Sequence, residues 1–85
     1  MKPFRVWVRP LGETCRVRVQ GLDNGIWLRD RLVDMAIVEI GETVGREDST
    51  GIYTFSLPYR EDMPRSMLED VLSGFPQIQL TCEPA

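Results

Sequence analysis

The strictest constraint in this chain is the alternation that runs from Phe4 to Gln20. Phe4, Val6 and Val8 alternate with Arg5, Trp7 and Arg9. After Pro10-Leu11-Gly12-Glu13 the pattern resumes, with Cys15, Val17 and Val19 set against Thr14, Arg16, Arg18 and Gln20. Period two in β-branched and aromatic residues predicts two strands, each with one apolar face. A slip of one residue in either strand would put all its valines in water, so the pattern fixes which face is inward. The intervening Pro-Leu-Gly-Glu predicts a turn. Pairing Arg9 with Thr14 across it sets Trp7 opposite Arg16 and Arg5 opposite Arg18.

The rest of the chain changes period. Gly21-Leu22-Asp23-Asn24-Gly25 predicts a turn leading into a helix, with Asp23 or Asn24 as cap. Leu28, Leu32, Met35 and Ala36 share one face of that helix, and Asp30, Arg31 and Asp34 the other. Ile37 to Val44 is β-branched and predicts a third strand. Gly45 to Gly51 is a polar turn, and Ile52 to Leu57 predicts a fourth strand with Tyr53, Phe55 and Leu57 on one face. Asp62 caps a second helix beginning at Met63-Pro64, whose apolar stripe is Met67, Leu68, Val71 and Leu72. Gly74 and Pro76 end it. Gln77 to Cys82 predicts a last strand with Ile78, Leu80 and Cys82 inward.

Without its first strand the order is β-α-β-β-α-β, the ferredoxin-like split βαβ. The expected architecture is therefore an α+β two-layer sandwich. Its mainly antiparallel sheet carries an extra N-terminal strand, and both helices cover one sheet face. In this topology the strands at 14–20 and 77–82 are antiparallel neighbours. Pairing Val17 with Leu80 then sets Val19 opposite Ile78 and Cys15 opposite Cys82. The strand at Phe4 to Arg9 has two places open to it: between those two strands, or at the sheet edge.

Length and composition limit the function classes. The chain has 85 residues, one domain by size, where doubly wound and barrel enzymes need about 200 or more. It has no histidine, no apolar run approaching the roughly 18 residues of a membrane span, and Pro3, Arg5 and Arg9 where a secretory signal needs an apolar core. Two cysteines are too few for a disulfide scaffold. These features together lead to the expectation of a cytoplasmic protein that does not engage a membrane. The acidic pairs Glu47-Asp48, Glu61-Asp62 and Glu69-Asp70 sit at a turn, a cap and a wet helix face, where neighbouring side chains diverge. No phosphate-binding Gly-Lys-Ser loop is present and no nucleophile stands with a base. The reading is therefore non-enzymatic, with no cofactor and no metal site.

Charge points to one surface. The net charge is −3, yet residues 1–31 hold seven basic and three acidic side chains, and residues 32–85 three basic and ten acidic. Arg5, Trp7, Arg9, Arg16 and Arg18 fall on the sheet face away from the helices, joined by Gln20, Thr54, Ser56, Gln79 and Thr81. This face and Trp27, which projects from the first helix near Arg31 and Asp34, are the candidate binding surface. Arginines with an aromatic between them suit protein contact or the stacking of a base. An open four-stranded sheet resembles the RNA-binding face of RNA-recognition-motif domains. The carry-over covers Trp7 and its arginines only, because the Gly-aromatic signature of that family is missing. The order of elements over 14–82 also resembles ACT domains, which seat a small ligand at a glycine-containing loop before the first helix, here Gly21 to Gly25. Cys15 and Cys82, side by side in the expected register, form a third candidate site, a thiol pair. The leading expectation is an interaction module that binds itself, as a homodimer, or another protein through the Trp/Arg face. Single-stranded RNA binding by that face and a small-ligand regulatory role are the alternatives.

Overall fold

The computed structural model describes residues 2–12, 14–35, 46–58 and 65–84, with backbone alone at 58 and 65–67. The elements are β1 (Phe4–Leu11), β2 (Thr14–Gln20), α1 (Leu22–Asp34), β3 (Arg46–Glu47), β4 (Ile52–Pro58), α2 (Arg65–Ser73) and β5 (Ile78–Cys82). They form an α+β domain with two helices and one five-stranded mixed sheet, in the order β3-β4-β2-β1-β5. β1, β2, β4 and β3 run antiparallel to their neighbours, and β5 runs parallel to β1.

β1 takes the first of the two places open to it, between β2 and β5. The expected pairing of Val17 with Leu80 and Val19 with Ile78 is thereby replaced. Val6 stands between Val19 and Leu80, Val8 between Val17 and Cys82, and Phe4 beside Ile78. The hairpin register also differs from expectation. Strand pairing continues through Pro10 and Leu11, so that Leu11 meets Thr14, Arg9 meets Arg16 and Trp7 meets Arg18. The shift is two residues, an even number, so every side chain keeps its predicted face. Proline is tolerated because β5 accompanies β1 only as far as Val8. Pro10 has no ladder on that side in which its missing N–H would be felt.

The inward residues make one core. Val6, Val8, Val17, Val19, Leu28, Leu32 and Leu72 are wholly buried, with Phe4, Cys15, Tyr53, Phe55, Leu57, Leu68 and Ile78 nearly so. Each fully buried valine or leucine contributes about 1.5–3 kcal/mol. Among the described residues no polar or charged side chain is buried. Helix residues from both α1 and α2 join this cluster, so both helices lie on the same side of the sheet.

Several local expectations are corrected. α1 begins at Leu22, with Gly21 as its cap residue and no side-chain cap, so Asp23 and Asn24 lie inside the first turn. Gly21 adopts φ 94°, a left-handed value that lets β2 turn into α1 with one intervening residue. The segment compared with a ligand-seating loop is therefore helix. Packing sets its phase: Gly25, Leu28 and Leu32 form the buried stripe. A Cβ on Gly25 would collide with the Tyr53 ring. Met35, expected in the stripe, follows the last helical residue and is exposed. Cys82 is exposed as well, and Leu80 half-buried, on the edge strand β5. Cys15 is buried two strands away from it. With β1 between their strands, and Cys82 level with Val8 while Cys15 is level with Pro10, the two positions are about 11–12 Å apart, beyond the span of a disulfide. The strand expected over 37–44, Ala36 and the cap at Asp62 to Pro64 lie outside the described residues.

An open helix position gains about 1 kcal/mol when glycine becomes alanine. Gly25→Ala should do the opposite, because the new methyl group needs the Tyr53 ring to move. A loss of about 2–3 kcal/mol in urea unfolding is expected. A neutral or stabilising result would contradict the close approach of α1 to β4.

The outward sheet face as a candidate interface

The alternation that fills the core places the complementary residues on the opposite side of the sheet. Across the middle of this face run Thr81, Trp7, Arg18, Thr54 and Arg46, each opposite the next on adjoining strands. One row along lie Arg9, Arg16 and Ser56. Arg5 stands beside Gln79 in the row on the other side. Five of the sites expected from sequence, Arg5, Trp7, Arg9, Arg16 and Arg18, are thus brought together. Arg46 on β3 joins them, although its place in the polar stretch from Gly45 to Gly51 predicts a turn.

Trp7 is half-buried at the centre of the face. The Arg18 guanidinium carbon lies 5.4 Å from the centroid of its ring, within the range of a cation–π contact. The same guanidinium donates from Nη2 to Glu83 Oε1 at 2.6 Å, with the Arg18 side chain 37% and the Glu83 side chain 26% exposed. Glu83 arrives there because its backbone continues the parallel ladder, donating its N–H to the Val8 carbonyl at 2.7 Å. It follows Thr81 by two residues and so shares its face. Only with β1 placed between β2 and β5 does this alternation bring Glu83 to Arg18, and the sequence reading therefore missed it.

Trp27 is elsewhere. It is half-buried on the helix side, edge-on to Phe4 at 6.1 Å and to Phe75 at 5.5 Å. Arg31 stands 5.9 Å over its ring. The aromatic cluster ties α1 to β1 and to Phe75, two residues past the end of α2, and it is separated from Trp7 by the thickness of the sheet. The described cations of α1 are engaged. Arg29 donates to the Tyr53 hydroxyl at 2.9 Å and lies 3.6 Å from Asp30. Among the described residues no carboxylate pairs with Arg5, Arg9, Arg16 or Arg46.

Among the described residues the helices carry most of the acidic side chains. Asp23, Asp30 and Asp34 on α1 and Asp70 on α2 are exposed on the helix side. Near the sheet face, among the described residues, stand Glu83 and, at the tip of the β3–β4 hairpin, Asp48. Asp48 is occupied by its own turn. Its Oδ1 accepts from the Thr50 hydroxyl at 2.5 Å, the Thr50 N–H at 2.8 Å and the Ile52 N–H at 3.1 Å. The Thr50 hydroxyl, followed by the backbone donors of Ile52 and Thr50 and then the charge of Arg18, holds its carboxyl below the ordinary value of 3.8.

The face offers cations, hydroxyls and one indole. Among the described residues no group of three or more Cys, Asp or Glu is placed to hold a metal. No described helix is long and apolar enough to cross a membrane. No protein family, curated protein or solved structure matches this chain.

A depressed folded-state pKa contributes stability above the unfolded value, and that contribution is lost as pH falls through the folded one. The Asp48 turn should therefore keep its hydrogen bonds to a lower pH than an ordinary aspartate would. The amide resonances of Thr50 and Ile52, followed by NMR from pH 6 to pH 2, should titrate together with a midpoint under 3.8. A midpoint at or above that value would contradict the hydrogen-bonded carboxylate.

Proposed function

We propose that this chain is a non-catalytic protein-binding module whose open sheet face docks on an acidic protein surface. The observation that carries the reading is the separation of charge between layers. Arg5, Arg9, Arg16, Arg18 and Arg46 share one face of the sheet, while the exposed aspartates of α1 and α2 lie behind it. Such a field steers an anionic partner towards the sheet and away from the helices. Trp7 at the centre supplies the aromatic anchor that interfaces favour, with arginines around it.

The same charge argues about which protein. A two-fold dimer sheet to sheet would set each arginine patch against its own copy, because an isologous interface is self-complementary. Like charges facing one another oppose that arrangement. A partner that differs from this face, and is acidic, fits better than a second copy packed sheet to sheet. Single-stranded nucleic acid is the second reading, favoured by Trp7 between arginines on a central strand. It is weaker because Trp7 is the sole aromatic outward on β1, β2, β4 and β5, and its ring already carries a guanidinium. Base binding on an open sheet usually stacks two or three aromatics.

Strand spacing and rise make the patch about 400–500 Å² in plan, below the roughly 800 Å² per partner of a stable complex. Micromolar affinity is therefore expected. Labelled poly-L-glutamate should bind at low salt and be released as salt rises. Arg9→Ala combined with Arg16→Ala should weaken binding about tenfold, and Arg31→Ala, on the helix side, should leave it unchanged. RNA of matched charge bound more tightly than polyglutamate would move the assignment to nucleic acid. An undiminished affinity in the Arg9, Arg16 double variant would remove the sheet face from consideration.

A further inference from the structure

We propose that Arg18, stacked on Trp7, is the recognition centre for a partner's carboxylate, and that Glu83 is a built-in stand-in for it that the partner displaces. This rests on the acidic-partner reading above and adds to it a mechanism at one residue.

Three features of Glu83 lead there. First, among the described residues it is the carboxylate in ion-pair contact with the face: it meets Arg18 at 2.6 Å, whereas Asp48 feels the Arg18 charge without such contact, and Arg5, Arg9, Arg16 and Arg46 have no such partner. The face thus displays, from its own chain, the geometry by which it takes an acid. Second, the ion pair is accessible. The Arg18 and Glu83 side chains retain 37% and 26% of their exposure, so an incoming carboxylate can approach the same guanidinium. Third, backbone and side chain of Glu83 are held by different bonds. Its N–H is fixed to Val8 at 2.7 Å as part of the sheet. The side chain can therefore rotate away from Arg18 without any strand parting.

An internal carboxylate tethered in this way competes with every external one, because its effective concentration is set by the chain and not by the solution. It also keeps Arg18 aligned over Trp7 in the absence of partner, and it lowers the net attraction of the face for weak anions. The competitor selects for partners whose several carboxylates engage Arg5, Arg9 and Arg16 together with Arg18. An isolated acidic side chain gains little by exchanging with Glu83.

The experiment is a double-mutant cycle read as the affinity for labelled poly-L-glutamate at 50 mM salt, with mixed-sequence RNA of matched charge as a second probe. Glu83→Gln keeps the side-chain shape and removes the competing charge. It should tighten polyglutamate binding about two- to fivefold, the factor that a partly exposed ion pair is worth. In an Arg18→Gln background the same change should alter affinity less than 1.5-fold, because no guanidinium remains to be released. An equal gain in both backgrounds would mean that Glu83 acts only as a distant charge, and would overturn the proposal. So would an unchanged affinity of Glu83→Gln while wild type still binds polyglutamate, which leaves the acidic-partner reading standing. Absence of polyglutamate binding by wild type and variant alike, or preference for the RNA, overturns both.

Discussion

The structure depends on β1 having neighbours on both sides. Val6 and Val8 are fully buried because β2, β5 and the helix layer surround them, and each must match an apolar residue on either flank: Val19 and Leu80 for one, Val17 and Cys82 for the other. A strand in this position has no freedom of register. Sliding it by one residue would bury Arg5, Trp7 and Arg9 and expose Phe4, Val6 and Val8, while leaving guanidinium groups unpaired in the core. The hydrophobic requirement on one face of β1 therefore determines where its arginines stand on the other. Core and candidate interface are two consequences of one alternation.

The same placement explains the distribution of charge. β1 and β2 supply Arg5, Arg9, Arg16 and Arg18 at adjacent positions on the sheet. In free solution such a cluster repels itself. Here it is tolerated because Arg5 and Arg9 are exposed to water, which screens their charges, and because Arg18 is balanced by Trp7 and Glu83. Among the described side chains the helix layer has the opposite balance, with Arg29 bonded to Tyr53 and Arg31 stacked on Trp27. The overall charge of −3 conceals, among the described residues, a basic sheet face and an acidic helix side.

Much of this was legible in the sequence, and the reasons for the remainder are physical. The faces of β1, β2 and β4 follow from period-two alternation, and the stripe Leu28–Leu32 from helical spacing. Strand order did not follow, since Val17 matches Leu80 as well as Val6 does. Apolar complementarity alone cannot say which pairing is made. The short connection from β1 to β2 decides it, by keeping β1 at the side of β2 that β5 would otherwise occupy. The helix start was misplaced because Asp23 and Asn24 have the chemistry of caps, whereas the fit of Gly25 under Tyr53 sets the phase. Glu83 was invisible for a related reason: its role depends on β5 lying beside β1, a tertiary fact that residue types do not carry. Trp27 appeared exposed by helical angle. Phe4 and Phe75, distant in sequence, partly cover it.

The central claim is that the arginine face, and neither the helix layer nor a second copy, is the surface that meets a partner. The most direct test is the amide spectrum of the labelled protein, recorded on tenfold dilution and then with poly-L-glutamate added. The account predicts no change on dilution, followed by shifts at Trp7, Arg9, Arg16, Arg18 and Arg46 with α1 and α2 unmoved. Shifts at the sheet face on dilution alone, or shifts confined to the helices when the polymer is added, would contradict it.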